Sequence, residues 1–292
     1  MRISIWPGAE HPWGDILEMT RHAEATGWDG AYIADHFMVN GDDPVAAPML
    51  EAGSLVAALG ATVPRLRIGT LVYGNTYRHP AVVANMAATV DRITGGRFTL
   101  GVGAGWQKNE HRQYGIELPP VKQLLDRFEE AVRITLGLLR EPTTTLNGTY
   151  YQVEDAVCEP KPVQTPLPLL IGGKGEKRML RIVATYADMW NAWGVPSLIA
   201  HKSAVLDDHC AAIGRDPAAI ARTAQALVTL NGPLPEDGPP VIGGSPSQLA
   251  DTVAEYRAIG LDELIIPDEL LGTGADRLKA MDTILSIVRA TD

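Results

Sequence analysis

The chain has 292 residues, 46% of them hydrophobic and 21% charged, which gives it core-forming material and no signature of disorder. A net charge of −10 argues against nucleic acid as a partner, because a phosphate backbone needs a basic face and no Lys/Arg run supplies one. No apolar run approaches the ~18 residues of a membrane span. No secretory leader pattern opens the chain, and Cys158 and Cys210 are too few for a disulfide framework, so a cytoplasmic protein without membrane contact is expected.

Strand-like and helix-like patterns alternate from one end to the other. Residues 2–6 are an apolar run, and 13–26 carry Ile16, Leu17, Met19 and Ala23 at helical spacing, closed by Gly27 in the position past a helix end that glycine favours. Strands are expected at 30–36 and 66–72, helices at 48–60 and at 80–92, the latter opened by Pro80. A strand at 97–101 leads to a long helix at 121–140 with Leu124, Leu125, Phe128, Val132 and Leu136 on one face. Between 141 and 164 the pair Asn147-Gly148 separates two Thr/Tyr/Val-rich runs, the signal of an inserted β-hairpin, serving as a lid or as a cover for the flank. Strands at 167–171, 188–193, 223–230 and 261–266 then alternate with helices at 176–186, 196–213, 245–259 and 275–289. Apolar strands in β/α units of ~30 residues indicate a parallel sheet covered on both faces, and eight such units fit a TIM (β/α)8 barrel of one domain, residues 1–292.

The segment 91–115 ends a helix, turns at Gly95-Gly96, and leaves its strand through Gly101, Gly103 and Gly105 before Trp106. Glycines at a strand exit let a large ligand lie against bare backbone, or simply make a tight bend. The run Ile171-Gly172-Gly173-Lys174-Gly175 feeds a helix and carries Lys174, Lys177 and Arg178, a pattern better suited to phosphate than to a plain basic connection. It is neither a Walker A loop nor a Gly-x-Gly-x-x-Gly fingerprint. In a (β/α)8 barrel the site forms at the C-terminal strand ends, where Trp6, Asp35, His36, Tyr73, Gly74, Asn75, Gly103, Ala104, Gly105, Trp106, Gly172, Gly173, Lys174, Gly175 and Trp193 fall. That composition suits a large planar ligand with a polar tail. His36 is the candidate proton carrier, with Asp35 a carboxylate positioned to set its tautomer. The other histidines show no metal spacing, so no metal is expected.

With these residues in view, the chain resembles the bacterial luciferase-like monooxygenase superfamily, and within it the actinobacterial oxidoreductases that use the deazaflavin coenzyme F420. The resemblance rests on Thr76-Tyr77-Arg78-His79-Pro80, on Thr94-Gly95-Gly96-Arg97, and on Leu100 followed by Gly-Val-Gly-Ala-Gly-Trp106. It implies a barrel holding a flavin or deazaflavin in its mouth, with Asp35-His36 near the hydride-bearing carbon. It also implies a non-prolyl cis peptide in the bulge of Val72, Tyr73 and Gly74, a tail-phosphate loop at 172–175, a strand exit at 103–106, and a homodimer. Sugar-phosphate dehydrogenases of this superfamily carry Glu where this chain has Trp106, and Glu110, one helical turn on, is the catalytic carboxylate available in its place. The expected function is therefore hydride transfer between F420 and a small organic substrate; the alternative is an FMN-dependent monooxygenase. A metal-dependent barrel hydrolase and a non-catalytic cofactor carrier are the readings from other classes.

Overall fold

A computed structural model describes residues 1–41, 47–235 and 237–291. In chain order these form β1 (Arg2–Trp6), α1 (Trp13–Thr26), β2 (Gly30–Ile33), α2 (Ala52–Thr62), β3 (Arg67–Thr70), β4 (Tyr73–Gly74), α3 (Pro80–Thr94) and β5 (Phe98–Gly103). Next come α4 (Lys108–Tyr114), α5 (Val121–Arg140), β6 (Thr144–Asn147), β7 (Gln152–Ala156), β8 (Leu169–Gly172), α6 (Met179–Tyr186), β9 (Met189–Trp193) and α7 (Pro196–Ala212). The last elements are β10 (Ala221–Gln225), β11 (Leu227–Thr229), β12 (Val241–Gly243), α8 (Pro246–Ala258), β13 (Glu263–Pro267) and α9 (Gly274–Ala290). The main sheet runs β3-β2-β1-β13-β10-β9-β8-β5, and β3 pairs back onto β5. That is the cyclic strand order of a (β/α)8 barrel.

The chain divides into two units, one of residues 1–8, 12–32 and 172–292, the other of residues 9–11 and 33–171. In the first, β1 lies between β13 and β2, with Ser4 opposite both Ile265 and Gly30. Ile3, Ile5, Ala31, Leu264, Ile265 and Ile266 have no exposed surface, because a strand inside a parallel sheet is covered on both faces. α1 turns Ile16, Met19 and Ala23 inward, and Gly27 ends it in the left-handed region, as its position in the sequence predicts.

In the second unit β5 is central, paired with β3, β4 and β8 in parallel register. Thr70 and Gly101 meet across β3 and β5 in an unusual way. The Thr70 hydroxyl donates to the Gly101 carbonyl at 2.8 Å and accepts from its N–H at 2.9 Å. A Cβ at Gly101 would collide with the Thr70 carbonyl oxygen, so this approach requires glycine. Behind the sheet, α5 buries Leu124, Phe128 and Val132, and Asp91 of α3 accepts from the N–H groups of Val163 and Gln164 at 2.7 and 2.9 Å. β6 and β7 form the expected antiparallel hairpin. The carboxylate of Glu130 on α5 holds its turn, accepting from the N–H groups of Thr149, Tyr150 and Tyr151 at 2.8, 2.8 and 3.1 Å.

Several boundaries differ from the sequence expectation. The helix expected from 48 begins at Ala52, because the Glu51 side chain caps it through the N–H groups of Gly53 and Ser54. Gly60 does not end that helix; a Cβ there would lie 2.6 Å from Thr94 Cγ2, so glycine lets α2 and α3 close together. The expected strand at 223–230 is two, β10 and β11, and β11 pairs with the unanticipated β12. The helix expected from 176 starts at Met179, after a turn. The short α4 was not anticipated, while the hairpin follows the long helix α5 as expected.

Replacing Gly101 by Ala is expected to cost about 3 kcal/mol through overpacking against backbone. Gly95→Ala, where φ is +65° and no atom lies within 4 Å of the added carbon, is expected to cost only about 1 kcal/mol. Denaturant unfolding of the two variants distinguishes steric from conformational demand at these glycines.

Candidate functional site

In the second unit the segments leaving β2, β4 and β5 meet α4. Asp35, just past β2, is buried and accepts from the N–H of Gly74 at 2.9 Å and from both terminal nitrogens of Arg78 at 2.6 and 3.0 Å. Arg78 also bonds Glu51 and lies 4.9 Å over the Tyr73 ring. The Asp35 carboxylate is thus committed to a buried ion pair and to the strand-three bulge. It is not the carboxylate that His36 meets, which corrects its expected place beside the imidazole. The non-prolyl cis peptide of this bulge joins Leu71 to Val72.

His36 instead turns to Glu110. Its Nδ1 lies 2.9 Å from Glu110 Oε1, while the N–H of Phe37 donates to Oε2 at 2.8 Å and the Tyr77 hydroxyl donates to Oε1. Burial would raise the Glu110 pKa, but bonds from His36, Tyr77 and the Phe37 N–H outweigh it and hold the carboxyl below its usual range. Burial, reinforced by Glu110, pushes the Tyr77 phenol up, so Tyr77 stays protonated and donates. The side chain of His36 keeps 26% of its surface exposed, whereas Glu110 has none. Trp106, 59% exposed, sets its ring edge-on to His36 at 5.7 Å. Glu110, expected as a catalytic carboxylate, is enclosed by its three donors.

α4 builds this arrangement with polar residues. Gln107 donates to the Met38 carbonyl at 2.9 Å and Asn109 to the Val39 carbonyl at 2.8 Å, so together with Glu110 they fix residues 36–39. His111 is 2% exposed; its Nδ1 bonds the Gln107 carbonyl at 2.6 Å and its Nε2 meets the Thr76 hydroxyl at 2.7 Å. The Tyr77 ring lies between Phe37 at 4.7 Å and His111 at 5.0 Å. Tyr77, Gln107 and Asn109 were not singled out as site residues from the sequence. The available signal was Gly115, which closes α4 in the left-handed region.

The strand-exit glycines answer to neighbouring side chains. A Cβ at Gly74 would stand 2.6 Å from the Tyr77 ring, and one at Gly105 2.8 Å from Thr76 Oγ1. Gly103 and Ala104 are buried beside them, and the Gly103 carbonyl accepts from the N–H of Asn75 at 2.9 Å. The Asn75 amide donates to the Tyr151 hydroxyl at 3.4 Å.

In the first unit Gly172–Gly175 leave β8 as a turn in which Lys174 and Gly175 are exposed and Gly173 adopts φ +145°. The Gly173 N–H donates to the Asn191 carbonyl at 3.0 Å, and its own carbonyl accepts from Trp190 Nε1 at 2.7 Å. Trp193, at the end of β9, packs against Trp6 with ring centroids 5.6 Å apart. Among the described residues no group of three or more His, Cys, Asp or Glu is arranged to hold a metal, and no helix is long and apolar enough to cross a membrane.

Comparison with known proteins adds four findings. The chain is 36% identical over 166 residues to an F420-dependent glucose-6-phosphate dehydrogenase of Beutenbergia cavernae, covering 55% of this chain and 47% of that one. It is 34% identical over 151 residues to a pyrimidine monooxygenase of Allorhizobium ampelinum, covering 51% and 40%. The chain therefore spans about half the length of the curated relatives it matches. A solved F420-dependent secondary alcohol dehydrogenase, bound to an F420–acetone adduct, superposes with a TM-score of 0.84 over 99% of this chain and 100% of that one. At 19% identity this likeness shows the fold, a (β/α)8 barrel. The model of the luciferase-like monooxygenase family matches residues 1–232, and the chain belongs to that family.

Proposed function

We propose that this protein is an oxidoreductase that uses coenzyme F420 to move a hydride to or from a small organic substrate. The observation that carries the reading is the His36–Glu110 pair: a partly exposed imidazole at a strand exit, anchored through one nitrogen to a buried carboxylate. The names of the F420-dependent relatives supply the cofactor.

The residues suit such a group. The segment 172–175, with Lys174 and Gly175 exposed and Lys177 just beyond, offers cationic and backbone donors to an anionic tail. Val72, Tyr73, Gly74, Asn75, Gly103, Ala104, Gly105 and Trp106 of the second unit are the proposed contacts of the ring. When bound, F420 supplies the hydride-carrying carbon. His36 moves the accompanying proton at Nε2, its other nitrogen being engaged by Glu110. Asp35 keeps the bulge after β3 in place through Gly74 and Arg78. Trp106 replaces the Glu of the sugar-phosphate enzymes, so glucose 6-phosphate is not the substrate in this reading. The reading includes a cytoplasmic homodimer, which light scattering tests. FMN-dependent monooxygenation is the second reading, favoured by the similarity to a pyrimidine monooxygenase.

Titration of the purified protein with F420 and with FMN, followed by tryptophan quenching, is expected to show binding of F420. Tight binding of FMN with none of F420 overturns the first reading in favour of the second. His36→Ala is expected to lower kcat about 10²–10⁴-fold while leaving F420 affinity unchanged. Lys174→Ala is expected to weaken F420 binding about tenfold, or ~1.4 kcal/mol. A pH series reports on Glu110, whose folded pKa lies below its unfolded value. Its contribution to stability is complete above the ordinary Glu value of about 4.3 and is lost as pH falls through the lower folded value. The difference in unfolding free energy between wild type and Glu110→Gln is therefore expected to be flat near neutrality and to shrink in acid.

A further inference from the structure

We propose that Glu110 is a positioning residue that holds His36 in the Nδ1–H tautomer, and that the backbone N–H of Phe37 makes this hold one-directional. The step rests on the functional reading above, and the geometry specifies it further. A carboxylate offers only acceptors. Oε1 receives the Tyr77 hydroxyl and faces His36 Nδ1 at 2.9 Å, so Nδ1 carries the proton there. Oε2 is taken by the Phe37 N–H, a donor that cannot reverse its role. Nε2 is then the bare nitrogen of the neutral ring. In the oxidising direction it accepts the proton of a substrate hydroxyl while the hydride goes to F420; in the reducing direction Nε2–H returns that proton as the carbonyl takes the hydride. With no exposed surface and three donors around it, Glu110 acts through His36 and does not touch substrate.

Glu110→Gln tests this with little change of shape. The Phe37 N–H compels the new amide to turn its oxygen towards residue 37. The amide NH2 then faces His36 Nδ1 and the Tyr77 oxygen. A donor at Nδ1 forces the imidazole into the opposite tautomer, Nε2–H, which cannot accept a proton.

The first readout is the long-range proton–nitrogen NMR spectrum of histidine-labelled protein without cofactor, at about pH 8, above the ordinary histidine range. His36 is assigned by the signal missing from a His36→Gln sample. Wild type is expected to show Nδ1–H at His36, and Glu110→Gln to show Nε2–H. Turnover with F420 and an alcohol substrate is expected to fall about 10³-fold in Glu110→Gln, with KM for F420 unchanged. Tyr77→Phe, which removes a donor to Oε1 but leaves both oxygens acceptors, is expected to keep the wild-type tautomer and to lose less than about tenfold in turnover.

An unchanged tautomer in Glu110→Gln overturns the proposal. If turnover falls while the tautomer stays, Glu110 acts on substrate directly and the proposal also fails. An inverted tautomer with turnover within about threefold of wild type shows that the tautomer does not matter, and this too overturns it. If F420 does not bind at all, the functional reading fails, and the cofactor-free spectrum still decides whether Glu110 sets the tautomer.

Discussion

A carboxylate removed from water must find its donors inside the protein, because leaving one unpaired costs several kcal/mol. Among the described residues Asp35, Asp91, Glu110, Glu263 and Asp268 are buried carboxylates that obey this constraint, and each ties together segments distant in sequence, Asp268 by accepting from the Gly8 N–H at 2.8 Å. Asp35 joins the end of β2 to Gly74 and Arg78. Asp91 joins α3 to residues 163 and 164. Glu110 joins α4 to residues 36 and 37 and to Tyr77. In the first unit, Glu263 receives Ser4 and Arg2 at the start of β1. Apolar strands supply the driving force for burial, but they are nearly interchangeable. The carboxylates are not, since each accepts only the donors that one register provides.

The candidate site is a by-product of the same constraint. Glu110 needs three donors, and satisfying it brings His36 to rest with one nitrogen engaged and part of its ring exposed. Arg78 meets both Asp35 and Glu51, so its charge is consumed within the protein. The electrostatic character of the rim in the second unit thus comes from internal pairing. Trp106, exposed, and His36, partly exposed, stand beside a core of carboxylates whose donors all come from the protein itself.

Much of the architecture was legible in the sequence. Helices such as 13–26 and 121–140 carry an apolar stripe that survives any context, and the eight-fold alternation gave the barrel. Asn147-Gly148 marked the hairpin for a local reason, the turn itself. What stayed hidden was polar. α4 buries Asn109, Glu110 and His111 in succession against backbone carbonyls and side-chain hydroxyls, so it shows no apolar periodicity and no window of hydrophobicity reveals it. Asp35 and Glu110 were both picked out as carboxylates, but their partners are set by tertiary contacts some forty to seventy residues away. The sequence therefore pointed to both carboxylates and assigned His36 to the wrong neighbour. The strand-exit glycines carry a similar lesson: Gly74 and Gly105 make room for Tyr77 and Thr76, a demand that looks the same in one dimension as room for a ligand.

The hairpin of β6 and β7 is moored by Glu130, which reads three successive main-chain N–H groups. Such a mooring is blind to side-chain identity at residues 149 and 150. Tyr151 adds side-chain ties, to Asn75 by a hydrogen bond and to His79 and Arg127 through its ring. Substitutions at residues 149 and 150 therefore leave this anchor on α5 intact, whereas a side chain at Gly148 would collide with the Glu130 carboxylate that forms it.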